Sequence, residues 1–289
     1  MYLEKVIDVS NQTLIVLVKG NISEILHRRR FFAVLAISFL ISLYKLSNIA
    51  TYTRLYKTTF NIYDLLLSNM SNFHEVMFAL NFLFLFLIGN MFLHGNDNLR
   101  IIRCNSKDEW FIMNFLSIFT LALIFVVCII IINVLIGCLN LDFQNLWSDG
   151  SKTISKELNK MPKEIISYMS PLTAVLISSL FLIFNFTILG TVFYIGIICF
   201  RKVYMGFITS SFIIIMSIAA KYMNLIKYTK YLLADNILLF NHNFRRANTL
   251  PTIPYSFIYL ASIIVITYIL GLFLFKRQDF DVGGNNNDY

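Results

Sequence analysis

The residues able to do chemistry are few and scattered. Four histidines, His27, His74, His94 and His242, fall in four separate segments. A lone histidine at the end of an apolar stretch reads as an interfacial residue rather than as a ligand or base. The four cysteines, Cys104, Cys128, Cys138 and Cys199, form no CxxC pair and no Cys/His cluster, which argues against a structural metal site. They read as free thiols, with Cys128, Cys138 and Cys199 packing as small hydrophobes. No GxxxxGK[ST] phosphate loop, HExxH or GxSxG occurs, so the common nucleotide-binding, metalloprotease and serine-hydrolase chemistries have no carrier. The expectation is a chain that is not an enzyme and binds no cofactor or metal of its own.

What the apolar stretches do carry is amides and hydroxyls: Asn81 and Asn90, then Asn114, Ser117, Thr120 and Asn133, then Asn185, Thr187 and Thr191. On a helix, Pro171, Ser178 and Asn185 are spaced by sevens and drift only about 20° per step, so they share a face. Ser210, Ser217 and Lys221 fall together in the same way. Two readings stay open for Asn81, Asn114, Asn133, Ser178, Asn185, Ser210 and Ser217. They line a pathway or face a second protomer, or they hydrogen-bond between helices of a packed bundle. Ionisable groups are nearly absent from these stretches, with Lys221 close enough to an end to snorkel. Transport driven by a proton or cation gradient needs such a group, so uphill transport here would draw its energy from another subunit.

The elements that position these residues follow from composition. The chain has 289 residues, 57% hydrophobic and only 14% charged, against about 25% charged in a soluble domain, and its mean hydropathy is +0.69. This excludes a soluble enzyme, a disordered chain and a disulfide-stapled secreted domain. The fold class expected is an all-α integral membrane protein, a single transmembrane domain over residues 1–289. A bilayer crossing needs about 20 apolar residues. Six stretches qualify: Phe31–Ser47, Val76–Leu93, Trp110–Leu139, Ser170–Phe200, Gly206–Tyr222 and Tyr255–Phe275. Residues 4–27 carry Glu4, Asp8 and too short an apolar run for a signal peptide. They read as an amphipathic interfacial helix ahead of Arg28–Arg30, or as a plain juxtamembrane linker. Of the outer loops, Asp142 to Glu164 is polar and mixed in charge, as in a solvent-exposed helix. The apolar Tyr228–Phe240 is expected to dip into the membrane or lie on it.

Net charge is +8. Basic residues flanking apolar stretches suit anionic lipid headgroups, and no soluble basic module is present to hold nucleic acid. Lys and Arg divide evenly between the two sides, 12 and 12. Arg28–Arg30, Arg201-Lys202 and Lys276-Arg277 abut their spans directly, which places both termini in the cytoplasm. The Ile-, Asn-, Lys- and Phe-rich composition suggests an AT-rich bacterial genome and a bacterial plasma membrane.

The most distinctive inner segment runs from Gly95 to Trp110. Leu99, Ile102 and Arg103 recur at helical spacing, giving a short surface helix with an apolar and a basic edge. Ser106 and Glu109 have capping-box spacing for the helix that follows. Such an apolar edge either seats in a soluble partner or rests on lipid headgroups.

This layout resembles the membrane-spanning (permease) subunit of a type-2 ATP-binding-cassette exporter. The resemblance rests on the N-terminal amphipathic helix and six spans, on Gly95-x-x-x-Leu99-Arg100, on Ser106-x-x-Glu109-Trp110, and on the basic-then-acidic ending Phe275-Lys276-Arg277-Gln278-Asp279. It departs where Asn96-Asp97-Asn98 follow Gly95 in place of a hydroxyl residue. The resemblance implies two such subunits, identical or related, docked on two separate cytosolic ATPase subunits that hold the ATP and Mg. Residues 95–109 would form the coupling helix, with Leu99 and Ile102 as an apolar plug and Arg100, Arg103 and Asp108 as polar contacts. The cargo would be amphipathic or lipophilic, such as a peptide or antibiotic. The alternative is a non-transporting membrane immunity or sensor protein.

Overall fold

A computed structural model describes residues 2–89, 91–92, 106–153, 161–223, 230–245 and 249–277, with side chains described from residue 14 onward. The chain is helical throughout this part. An isolated parallel bridge joins Asn61 and Asp142, and no strand occurs among the described residues. The helices are α1 (Tyr2–Leu26), α2 (Arg29–Tyr56), α3 (Ile62–Met70), a π-helical turn (Glu75–Leu80) running into α4 (Asn81–Gly89), α5 (Lys107–Gly137), α6 (Glu164–Tyr168), α7 (Pro171–Phe200), α8 (Val203–Tyr222), α9 (Leu233–Ile237) and α10 (Ile253–Lys276). A short 3-10 turn at Leu239–Asn241 follows α9.

Local chemistry sets the helix starts. Ser106 caps α5 by accepting from the Glu109 amide at 3.2 Å, and Asp108 and Glu109 place negative charge in the first turn, where the helix dipole favours it. Ser170 caps α7 with Pro171 in the first turn, and Thr252 caps α10 with a proline likewise placed. At α3, the Asn61 side chain accepts from the Asp64 amide while the Asp64 carboxylate accepts from the Asn61 amide, a reciprocal box.

Among the described residues five helices, α2, α5, α7, α8 and α10, are long and apolar enough to cross a membrane. The pair formed by α3 and the π-turn plus α4, bent by 61°, makes a sixth if counted as one span. The bend has a local cause. Asn72 takes the His74 amide on its own side chain at 3.0 Å, which diverts that donor from the helix ladder.

The ends of the helices gather at two poles. Arg30, at the start of α2, stacks over the Phe86 ring near the end of α4. Asp108, at the start of α5, pairs with Lys276, at the end of α10, at 2.9 Å. At the other pole the Gly150 amide donates to Thr59 O at 2.9 Å, and Trp147 Nε1 donates to Met169 O at 2.8 Å. Both ends of the α2–α10 bundle therefore leave from one pole.

The structure departs from the sequence reading in three places. The first apolar helix continues to Tyr56 instead of stopping near Ser47, so Arg54 lies inside it. The connection that follows is no solvated loop, because Leu65, Leu67 and Met70 of α3 are fully buried in the bundle. The stretch from Asp142 folds back as well: Trp147, Ser151, Met161 and Ile165 are buried, with residues 154–160 outside the described part. Of the apolar outer segment, Ala234 through Phe240 are all buried against the rest of the protein, while Tyr228 and Thr229 lie outside the described residues.

Candidate functional site

Helix α7 is the central staff of the molecule, and its buried polar residues form a ladder. Near its start, Ser178 Oγ lies 2.8 Å from Ser71 Oγ, at the break between α3 and the π-turn. Two turns on, Asn185 Nδ2 donates to Asn81 Oδ1 of α4 at 2.7 Å. Further along, Asn114 Nδ2 of α5 donates to the Tyr194 hydroxyl at 3.1 Å. Sixteen residues separate the end rungs, about 24 Å at 1.5 Å per residue, most of a bilayer core. Phe84, Phe125 and Phe186 pack against one another between the rungs.

Side rungs extend the ladder. Asn69 of α3 donates to both Asn133 of α5 and Ser42 of α2, and Asn21 of α1 donates to Ser117 of α5 at 3.3 Å. Ser210 reaches across from α8 to the Leu189 carbonyl at 3.0 Å, while Ser217 bonds within its own helix to Ile213 O. Six of the seven polar positions singled out in the sequence thus bridge helices. Ser178 and Asn185 share a face, as their spacing requires. Polar capacity is left over, since Asn69 Oδ1 and Asn185 Oδ1 are buried without a hydrogen-bond partner among the described residues.

Two lysine–carboxylate pairs flank the break at residues 71–74, and sequence reasoning missed both. Lys45 of α2 lies 2.6 Å from Glu75, each side chain about one-seventh exposed. Lys221, at the end of α8, lies 2.7 Å from Asp235 of α9, which is fully buried. Asn241 also donates to that Asp235 oxygen, at 2.8 Å. The expectation of spans nearly free of ionisable groups fails here, because Lys45 lies within α2 and Glu75 opens the π-turn one residue ahead of the expected span. Beside Lys221 lies a cavity of about 240 Å³ lined by Ser71, His74, Lys221, Phe240 and Asn241.

The buried segment around α9 is itself stapled. Asn236 spends its amide donors on the Lys230 and Leu232 carbonyls, so its oxygen accepts from Ser256 Oγ at 2.7 Å. His242 Nε2 lies 2.8 Å from the same hydroxyl, and its ring stacks on Phe181 at 5.0 Å. A Ser–His contact suggests a nucleophile, but the same hydroxyl is also held by Asn236 Oδ1, and both Ser256 and His242 are fully buried. The arrangement holds α9 onto α10 and offers no substrate an approach.

At the opposite pole, Asp108 lies in the first turn of α5 and pairs with Lys276. Leu99, Arg100, Ile102 and Arg103, the other coupling residues expected from sequence, lie outside the described residues, as do Asn90 and Cys104. Among the described residues no cluster of His, Cys, Asp or Glu could hold a metal ion. No family model, no curated protein and no solved structure matches this chain.

Proposed function

We propose that this chain is the permease subunit of an ATP-driven exporter. A pair of such subunits would form the route for an amphipathic or lipophilic cargo, and a separate cytosolic ATPase would supply the energy. The observation that carries this reading is the way α5 is anchored at the pole where both ends of the bundle leave. Asn21 ties α1 to the third turn of α5, and Asp108 ties its first turn to the end of α10. A push delivered at the start of α5 would therefore reach three helices together, and in this scheme the ATPase delivers it through residues 93–105, which precede α5 in the sequence. Displacing α5 would shear the rungs it shares with α3 and α7, at Asn133 and Asn114. Interhelical bonds of this type average about 0.6 kcal/mol each, weak enough to exchange during a rigid-body step. In this scheme the bacterial plasma membrane holds the chain with both termini cytoplasmic.

A second reading, a non-transporting immunity or sensor protein, draws support from the ladder itself, since Ser178, Asn185 and Tyr194 of α7 each bond to a neighbouring element. The two readings part at the ATPase. Co-expression with a candidate cytosolic ATP-binding-cassette ATPase should yield a complex that Leu99→Asp or Arg103→Glu abolishes, together with ATP-dependent export. A complex and export unaltered by both changes would refute the coupling assignment. Protection of cells that persists when the ATPase is catalytically dead would favour the second reading.

A further inference from the structure

We infer that the groove between α1 and α5 is a binding site for one anionic phospholipid. The groove has a volume of about 750 Å³, within the range of sites that bury a small molecule. Its floor is apolar: Leu14, Val18, Ile22 and Leu26 recur at helical spacing along α1, facing Leu116 of α5. The rim is polar and also periodic, because Lys19, Ser23 and His27 follow one another at intervals of four and so form one row along the same helix.

The walls are fixed in place. Asn21 is buried and donates to Ser117 of α5 at 3.3 Å, and Ile22 and Ile25 are buried beside it. The groove is therefore a built feature of the α1–α5 contact.

Charge selects the occupant. Glu24, the acidic residue on this stretch of α1, is paired with Arg28. Lys19 lines the groove and is exposed. An apolar trough edged by an exposed lysine fits an acyl chain continuous with a phosphate-bearing headgroup. Basic pockets beside membrane helices take anionic lipids for this reason. The acyl chain lies on the Val18–Ile22 floor, and the phosphate meets Lys19 with the Ser23 hydroxyl as a neutral donor. This assignment uses no property of an ATPase or a cargo, so it stands or falls separately from the exporter reading.

The test is native mass spectrometry of the purified, delipidated full chain, titrated with phosphatidylglycerol or with phosphatidylcholine of the same acyl chains. One phosphatidylglycerol should be retained about fivefold over phosphatidylcholine, the effect of a single lysine at a lipid surface. Lys19→Gln, an exposed change that leaves the fold intact, should remove that preference. Leu116→Trp should fill the trough and remove retention of either lipid, while Lys152→Gln at the other pole should change nothing. Equal retention of the two lipids would mark a non-selective apolar cleft and overturn the proposal. So would a preference that survives Lys19→Gln, or retention undiminished by Leu116→Trp.

Discussion

Lys45 and Glu75 meet at 2.6 Å where the second apolar segment breaks, joining α2 to the π-turn. Removing one partner of a buried pair strands the other charge, at a cost of about 3 kcal/mol or more. Lys45→Met alone should lower the unfolding midpoint in detergent markedly. Lys45→Met with Glu75→Gln should recover most of the loss, because neither charge then remains. A double variant no better than the single would show that the pair itself does not hold the break.

The Lys221–Asp235 pair is asymmetric, with Asp235 fully buried and Lys221 about one-third exposed. Lys221→Ala leaves a buried carboxylate with Asn241 as its remaining donor, whereas Asp235→Asn leaves a lysine that can turn to water. Hydrogen exchange over residues 230–245 should therefore quicken more in Lys221→Ala than in Asp235→Asn. The reverse order would contradict the assignment of Asp235 as the anchoring group.

Helices α7 and α8 approach so closely that a methyl group does not fit. A Cβ on Gly206 would lie 2.6 Å from the Phe193 carbonyl oxygen, and one on Gly196 would lie 2.9 Å from the Gly206 Cα. Both obstacles are backbone. Gly206→Ala should destabilise by about 1–3 kcal/mol, the usual range for overpacking. Gly20 in α1 has no atom within 4 Å of such a Cβ, so Gly20→Ala should stabilise by up to about 1 kcal/mol through helix propensity. Thermal unfolding of the two variants side by side checks the contrast.

The Asn81–Asn185 rung predicts a measurable coupling. Asn81→Leu and Asn185→Leu each strip one partner, and the double variant should be less destabilised than the sum by about 0.6 kcal/mol. Strict additivity would mean that the two amides do not act on each other.

Much of this architecture was legible because a bilayer crossing depends on composition alone. The helices around Trp110–Leu139, Ser170–Phe200 and Tyr255–Phe275 begin and end within three residues of where apolar content and caps place them. The shared face of Ser178 and Asn185 was readable from spacing, although not their partners Ser71 and Asn81. The end of α2 was hidden, because Tyr52, Arg54 and Tyr56 lower the hydropathy without breaking the helix. Helix α3 carried a signal that went unused, an Asn61-x-x-Asp64 cap directly before an apolar run. Asp235 could not be placed from sequence, since the lysine that neutralises it lies fourteen residues away across a turn.

The most direct test of the exporter account uses Cys104, inside the segment expected to meet the ATPase, as the reporter in a chain whose other cysteines are replaced. Asp149→Cys, exposed at the opposite pole, serves as the reference in a second such chain with Cys104 also replaced. The account predicts that a membrane-impermeant maleimide labels position 149 but not Cys104 in intact cells. In inside-out vesicles it should label Cys104, and added ATPase should shield it. Labelling of Cys104 in intact cells would place that segment outside and contradict the account.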